Sequence, residues 1–221
     1  MPECKRRPNR GRPGFTRPRR RLGFALQGHR PVDERTDPRI VRTTRACGEA
    51  ITQLASEQPI SQITVADLAD RARVTRATFY NHYASPLDLL IQVLLADLER
   101  AHAREEERRA EGGLSAAEML RLSIVDVADH IERFQAVYRQ ALDDPADGGV
   151  YEALVRHFTD YAAAFIARCT HPDLPDSNHH VIAQFVSHGF AGAIKAWLGD
   201  TSVTKEALID ATVACAPVWW S

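Results

Sequence analysis

The stretch that decides the fold is "VADLADRARVTRATFYNHY", residues 65–83. Its first eight residues place Val65, Leu68, Ala69 and Ala72 at the spacing of one buried helix face. After a break that contains no glycine, a second short helix carries hydroxyl, guanidinium, amide and imidazole groups. The segments on either side explain why so many polar and aromatic side chains share one short helix.

The helix before this stretch has a defined start and end. Asp37 and Pro38 predict a cap followed by proline at the first helical position, and Pro59 ends the segment. Between them, five residues recur at helical spacing and predict a buried stripe: Ile40, Thr44, Cys47, Ile51 and Leu54. Arg42 lies off this stripe, near the start of the helix.

The stretch itself is predicted to form two short helices. Thr64, with Asp67 three residues later, has the capping-box pattern that begins the first. Thr75 is predicted to begin the second, in which Phe79 and Tyr83 are four residues apart and share the buried face. The outward face then carries Arg76, Thr78, Tyr80 and Asn81.

Two short helices that follow a longer one across a turn of three or four residues describe a helix-turn-helix. The recognition helix of that motif presents side chains to bases and phosphates in the major groove, while its other face holds the fold. The residues alone leave two interpretations equally open. One is a DNA-binding helix, and the other is a small three-helix bundle with solvated polar faces.

A family resemblance favours DNA binding. The segment "ITVADLADRARVTRATFYNHYASPLDLL", residues 63–90, resembles the DNA-binding domain of TetR/AcrR-family transcriptional regulators over many positions in one register. The predicted fold is all-α with three parts. Residues 1–37 are a basic extension whose Pro, Gly and Arg content predicts disorder, and the resemblance implies a helix-turn-helix domain (38–84) and a helical effector-binding and dimerisation domain (85–221). A long helix that begins at Ser85 joins the last two parts.

The resemblance also implies the DNA contacts, which are Arg42, Thr64, Thr75, Arg76, Thr78, Tyr80, Asn81 and His82. Two positions depart from the family pattern. Arg73 stands at a turn position that is commonly glycine, so the turn has either helical backbone angles or a strained conformation. Pro86 stands where a phosphate-binding lysine is common, although the amino end of the helix there could still offer amides to a phosphate.

The N-terminal 35 residues concentrate positive charge. They hold eleven basic and three acidic side chains, a net charge of +8, whereas the whole chain has −1 and the remainder therefore −9. Such a segment predicts a polyanion partner, usually nucleic acid. Two other interpretations stay open: a disordered segment without a specific role, and a segment that is not naturally translated, because "VDERTDPRIV" from Val32 suits an alternative start.

Beyond residue 85 the apolar periodicity predicts longer helices. The charged run "AHAREEERRAE", residues 101–111, is interpreted as a solvated helix end. Ser115 and Glu118 predict a new helix start, with a break near Asp129 and His130 as a possibility. "DDPADGG" (143–149) and "THPDLPDSN" (170–178) predict loops.

Two further sites are predicted in the C-terminal region. "FVSHGFAGAIKAWLGD", residues 185–200, resembles the family's dimerisation helix and implies an interface of Phe185, Gly189, Gly192, Ala193 and Ala196; internal packing is the alternative. Aromatic residues on these helices predict an effector pocket lined by Tyr138, Phe158, Tyr161, Phe165 and Trp197. Ordinary core positions are an equally open interpretation of each.

Other functional classes find little support. Four cysteines without CxxC spacing indicate neither a zinc cluster nor a disulfide framework and favour the cytosol. No cofactor or metal is expected, because His171, His179 and His180 near Cys169 are interpreted as solvated loop residues. Catalytic motifs such as GxSxG, HExxH, a Walker loop and GxGxxG are absent from the sequence.

The sequence therefore predicts a cytoplasmic, non-enzymatic DNA-binding regulator. By the resemblance it is a ligand-responsive repressor that binds a palindromic operator as a homodimer and responds to an unidentified small molecule. The alternative is an adaptor or coactivator that acts mainly through a protein partner. A small all-helical enzyme ranks third.

Overall fold

The computed structural model describes residues 37–143 and 148–220, and these residues contain helices but no strand. The basic N-terminal extension lies outside the described residues. In chain order the helices are α1 (Pro38–Glu57), α2 (Val65–Ala72), α3 (Arg76–Tyr80), α4 (Pro86–Glu111), α5 (Ala116–Arg133), α6 (Gln135–Asp143), α7 (Gly148–Ile166), α8 (His179–Gly199) and α9 (Lys205–Cys215). From Asp37 onward the chain packs as one compact unit, and the division into domains at residue 85 stays a prediction.

The predicted helix starts are confirmed by their caps. The Asp37 carboxylate accepts a hydrogen bond from the Arg39 amide at 2.8 Å. Thr64 and Asp67 form a reciprocal capping box, as Ser115 and Glu118 do at the start of α5. These local hydrogen bonds satisfy amides that have no partner within the helix, which is why short sequence patterns identify helix starts.

Helix α1 buries only its later turns. Cys47, Ile51 and Leu54 are buried as predicted, but Ile40 is 42% exposed and Thr44 is exposed as well. The predicted stripe was therefore wrong for the first two turns. Apolar spacing marks a face that could be buried, whereas burial also requires a neighbouring element, and the buried residues of α1 begin at Cys47.

One side of the charged end of α4 is packed, so its interpretation as a solvated helix end holds only for the other side, where residues 106, 107 and 109–111 are exposed. Glu105 is only 7% exposed. Its carboxylate accepts hydrogen bonds from the Tyr161 hydroxyl of α7 at 2.6 Å and from Arg109 at 2.7 Å. Arg108 donates to Asp126 of α5 at 2.5 Å. Charged residues thus join α4 to α5 and to α7.

The C-terminal helices differ from the prediction mainly at their ends. Helix α5 ends at Arg133 and α6 begins at Gln135, so the break lies at Phe134 rather than near Asp129 and His130. Of the predicted loop 143–149, residues 144–147 lie outside the described residues, and residues 148 and 149 belong to α7. The loop predicted at 170–178 is confirmed. None of the described helices is long and apolar enough to cross a membrane.

Candidate DNA-binding site

Helices α2 and α3 are joined through a residue in the left-handed conformation. Arg73 has φ 56° and ψ 43°, and it is the only non-glycine residue with positive φ in the described ranges. The Arg73 amide donates to the Asp70 carbonyl at 3.2 Å and the Val74 amide to the Ala69 carbonyl at 2.9 Å. This is the Schellman arrangement, which usually has glycine at the left-handed position. Of the two conformations predicted for this turn, helical backbone angles or a strained conformation, the turn therefore has the strained one.

Two aromatic rings, those of Phe79 and Tyr83, anchor the buried side of α3 in the core. Phe79 is fully buried, Tyr83 is 7% exposed, and their ring centroids are 5.5 Å apart. Helix α3 ends at Tyr80, so Tyr83 lies in the following turn and not in the helix as predicted. Its amide donates to the Phe79 carbonyl at 3.0 Å, and this return of the chain brings the ring to the core. Such aromatic pairs contribute about 0.5–1.5 kcal/mol beyond the burial of their area.

The opposite side of α3 is open. Arg76, Tyr80, Asn81 and His82 are exposed, and 60% of Tyr80 is accessible. The Tyr80 ring rests edge-on against Phe79, with centroids 5.5 Å apart. A recognition helix needs this combination of a buried anchor and an outward polar face.

The predicted threonine contacts cap helices as well. Thr75 Oγ1 accepts the Thr78 amide at 3.1 Å and lies 2.9 Å from Thr78 Oγ1. The hydrogen bond between these two oxygens uses one of the two hydroxyl hydrogens, so the remaining hydroxyl hydrogen can be donated to a phosphate. Thr64 donates its hydroxyl to Asp67 at 2.6 Å, and this hydrogen bond is the main reason that the pKa of Asp67 is lowered. The carboxylate near Thr64 makes this position less favourable for a phosphate.

The amino end of α4 offers a phosphate less than the sequence suggested. Pro86 has no amide hydrogen. Ser85 Oγ accepts the Asp88 amide at 3.0 Å, and the Asp88 carboxylate accepts the Ala84 amide at 3.0 Å. An acidic side chain thus already occupies part of this helix end. Arg42, which is exposed on α1, keeps its positive charge available.

The five residues predicted to line an effector pocket do not surround one cavity. Tyr138, Phe158 and Trp197 belong to the main core, whereas Phe165 stacks on Trp220 in a separate cluster. Tyr138 borders a cavity of about 10 Å³, which holds about one water molecule. Effector binding among these residues would thus require the helices to separate.

A larger opening lies between α1 and the junction of α5 with α6. This cleft of about 610 Å³ is bordered by Glu49 and Gln53 of α1, Val93 of α4, and Arg133 and Phe134. Its size suits a small molecule. The sequence did not predict it, because its walls come from segments that are about 80 residues apart in the chain.

One face of α8 is exposed along its length. Val181 and Phe185 are 60% and 79% exposed, and Gly189, Gly192 and Ala196 continue the same stripe. A Cβ atom at either glycine would meet no neighbouring atom within 4 Å. Ala193 is half-buried at the edge of the stripe. Within the described residues, the predicted interface is thus an open apolar surface rather than internal packing.

A buried polar network joins α4, α5 and α6, and the sequence analysis missed it. Asp97 Oδ2 lies 2.8 Å from His130 Nδ1, and His130 Nε2 lies 2.7 Å from the Tyr138 hydroxyl. Arg133 donates to both Asp97 oxygens, at 2.6 and 2.7 Å. Burial alone would raise the pKa of Asp97, but hydrogen bonds from His130 and Arg100 and the charges around it hold that pKa well below its usual range. The sequence signal that could have identified this network is Asp97, an aspartate on the otherwise apolar face of α4.

Comparison with known proteins supports the DNA-binding assignment. Residues 49–93 match the family of bacterial regulatory proteins, tetR family. The HTH-type transcriptional regulator YxbF of Bacillus subtilis (strain 168) is 39% identical over 70 residues. That match covers 31% of this chain and 18% of the relative, so it compares one segment of each and not the whole proteins.

Solved structures share the fold over most of the chain. A TetR-family regulator from Rhodococcus sp. has a TM-score of 0.61 and 19% identity, over 82% of this chain and 100% of that one. The TetR regulator of Streptococcus agalactiae has a TM-score of 0.54 and 25% identity, over 80% and 94%. Thermus thermophilus FadR, a TetR-family repressor in complex with lauroyl-CoA, has a TM-score of 0.56 and 16% identity, over 77% and 91%.

A helix-turn-helix with an open polar recognition face, followed by a larger helical region, is typical of helix-turn-helix transcriptional regulators. Residues 49–93 of the chain match the TetR family of these regulators, and the described residues have the fold of solved TetR-family proteins. The resemblance found in residues 63–90 is thereby confirmed.

Proposed function

We propose that the protein represses transcription by binding a palindromic operator as a homodimer, and that a small molecule releases it. The observation that carries the proposal is the open face of α3, where Arg76, Tyr80, Asn81 and His82 lie above the fully buried Phe79. These groups suit both base edges and phosphates. Repression takes place in the cytoplasm, where the operator is, and the basic N-terminal extension adds contacts with phosphates.

The homodimer follows from the open stripe on α8. A single helix-turn-helix reads one half-site, and two of them about 34 Å apart read a palindrome. The exposed stripe from Val181 to Ala196 contains two glycines with free space beside them, so a second α8 can approach closely. Docking of this surface on a different protein, the adaptor function, is the competing outcome.

Ligand control rests on the arrangement around α4, which begins directly after the DNA-binding helices and contacts α1, α5 and α7. A ligand that binds one arrangement of these helices more tightly shifts DNA affinity by its differential affinity, typically about 1–3 kcal/mol. The cleft bordered by Glu49 and Phe134 is open for such a ligand. The lauroyl-CoA complex of the FadR relative shows that a TetR-family protein of similar fold binds a small molecule.

Selection of bound DNA from fragments of the protein's own genome, followed by footprinting, tests the proposal. We expect protection of an inverted repeat upstream of a gene and a complex of two chains per site. The matched control is Arg121→Ala, which removes an exposed arginine far along the chain from α3. Equal, sequence-independent binding of all fragments would contradict an operator-specific regulator and favour the adaptor function.

A further inference from the structure

Two histidines and a glutamate meet where α4 packs against α7. Glu99 and His102 are three residues apart on α4, and His157 comes from α7. One ligand atom of each residue lies within 4.8 Å of those of the other two. Among the described residues, these three side chains form a group that could hold one metal ion. Glutamate and histidine at this i, i+3 spacing project to the same side of a helix, as in the metal-binding helices of bundle proteins.

The two imidazoles are stacked on each other. Their ring centroids are 4.9 Å apart with planes 4° from parallel, and the Tyr161 ring covers the other side of His102 at 4.4 Å. Packing between α4 and α7 thus fixes His102 before any ligand arrives. An imidazole nitrogen binds an ion in the plane of its ring, so His157 must turn out of this stack before both rings can bind one ion.

One atom of this cluster is unsatisfied. Nε2 of His157 is buried and has no hydrogen-bond partner among the described residues. A buried polar atom without a partner is destabilising, so such atoms are rare and call for an explanation. A metal ion at this nitrogen would supply the missing interaction.

The charge state of the cluster suits a cation. Burial lowers the pKa of His157 to about 4, with help from the neighbouring His102 and His130, and burial also lowers the pKa of His102. Both rings are therefore neutral at pH 7, the form that binds metals. The negative charges of Glu99, Glu105 and Glu106 act on His102 in the opposite direction to burial and raise its pKa, so they favour a cation at this position.

We propose that Glu99, His102 and His157 bind one divalent transition-metal ion, with Zn²⁺ the best match, between α4 and α7. Two imidazoles and one carboxylate are a donor set used for zinc and other first-row metals, whereas Mg²⁺ and Ca²⁺ prefer oxygen alone. Ligand atoms bound at about 2.1 Å in a tetrahedron lie about 3.4 Å apart, so a closure of roughly 1 Å completes the site. Exposed Glu99 can approach by rotating, and the turn of the His157 ring supplies the rest of the movement.

The ion would leave a coordination position open, because the protein provides three ligands. It would also join α4, which follows the DNA-binding helices, to α7. The proposal itself does not depend on DNA binding and is tested without DNA.

The test uses the full chain without an affinity tag, reduced and freed of metal by chelation. Zn²⁺ is titrated by calorimetry, and Co²⁺ by its visible absorption. We expect one ion per chain, with a cobalt spectrum that lacks thiolate charge-transfer bands, since no cysteine belongs to the cluster. Mg²⁺ should not compete.

Variants assign the ion to this cluster. His157→Gln and Glu99→Gln should each weaken binding by more than the ~10–100-fold that loss of a hydrogen-bond partner of a metal ligand costs. The control is the double variant His179→Gln, His180→Gln, which removes two exposed histidines at the start of α8 and should bind like the original protein. Because Glu99 is exposed, its variant keeps the test valid if His157→Gln does not fold. Unchanged Zn²⁺ affinity in Glu99→Gln, thiolate bands, or loss of binding in the control would overturn the proposal.

Discussion

Asp97 of α4 and His130 of α5 are joined by a hydrogen bond of 2.8 Å in the protein interior, where they are 4% and 1% exposed. An ionised carboxylate only accepts hydrogen bonds, so Nδ1 of His130 carries the hydrogen. In the neutral ring Nε2 then accepts a hydrogen bond from the Tyr138 hydroxyl at 2.7 Å. One defined tautomer therefore connects three helices, and changes at His130 should affect all of them.

His130→Asn should destabilise the protein by about 1–3 kcal/mol, because the asparagine amide can still donate to Asp97 but Tyr138 loses its acceptor. The measurement is the free energy of unfolding from urea titration at pH 7.5. Adding Tyr138→Phe to this variant removes the unpaired hydroxyl and should restore part of the loss. If the two substitutions instead destabilise additively, the coupling between these side chains is absent.

The free energy of unfolding should decrease as the pH is lowered, because of His130. Burial lowers its pKa although Asp97 acts in the opposite direction, and the charges of Arg133 and Arg100 also disfavour a second positive charge. The ring is then neutral in the folded protein, whereas in the unfolded chain it binds a proton near pH 6.5. Its contribution is complete above that pH and is lost as the pH falls below it. Urea titrations between pH 7.5 and 5 should show this slope, and His130→Asn should reduce it.

Arg73→Gly should stabilise the protein by about 1 kcal/mol relative to Arg73→Ala. Both variants remove the same charge, but only glycine adopts φ 56° without a steric cost. The same pair of substitutions at Arg71, an exposed position within α2, should give the opposite order, since glycine is unfavourable inside a helix. Thermal unfolding of the four variants decides the matter. Equal stability of the two Arg73 variants would mean that the turn is not strained.

The helix-turn-helix was predictable from the sequence because its determinants are local. The caps at Thr64 and Ser85 and the buried Phe79 all depend on residues within a few positions. Burial that depends on distant partners was not predictable. Glu105 is covered because Tyr161 reaches it from 56 residues away.

The predicted effector residues show the same limit. Aromatic side chains on a helix identify buried positions, but not whether they enclose a cavity. Tyr138 was predicted to line a pocket; its hydroxyl is hydrogen-bonded to His130, and its ring borders only a cavity of about 10 Å³. The preformed cleft was not predictable, since residues of α1 and α6 meet there only after folding.

Arg76→Ala and Tyr80→Phe should weaken DNA binding in different ways. We expect Arg76 to reach a base edge, so its loss should cost about 1–3 kcal/mol on the best operator and relax preference at one base pair. The exposed hydroxyl of Tyr80 suits a phosphate. Its loss in Tyr80→Phe should therefore weaken binding to all sequences about equally. Gel-shift titrations against a randomised half-site separate the two effects. Unchanged base preference in Arg76→Ala would exclude the base contact.

Phe185→Glu should prevent homodimer formation while the protomer stays folded. The Phe185 side chain is 79% exposed within one chain, so glutamate costs the fold little there. In a dimer built on the α8 stripe, the same change removes two apolar side chains, about 3–6 kcal/mol per dimer, and buries two charges. The control is Leu114→Glu, which makes the same kind of change at a 40% exposed residue between α4 and α5.

We expect sedimentation equilibrium to show monomers for Phe185→Glu and dimers for Leu114→Glu. Operator affinity should fall only in the first variant, because two linked helix-turn-helix units bind a palindrome far more tightly than one. A dimer that persists in Phe185→Glu would place the interface elsewhere and leave the α8 stripe free for another partner.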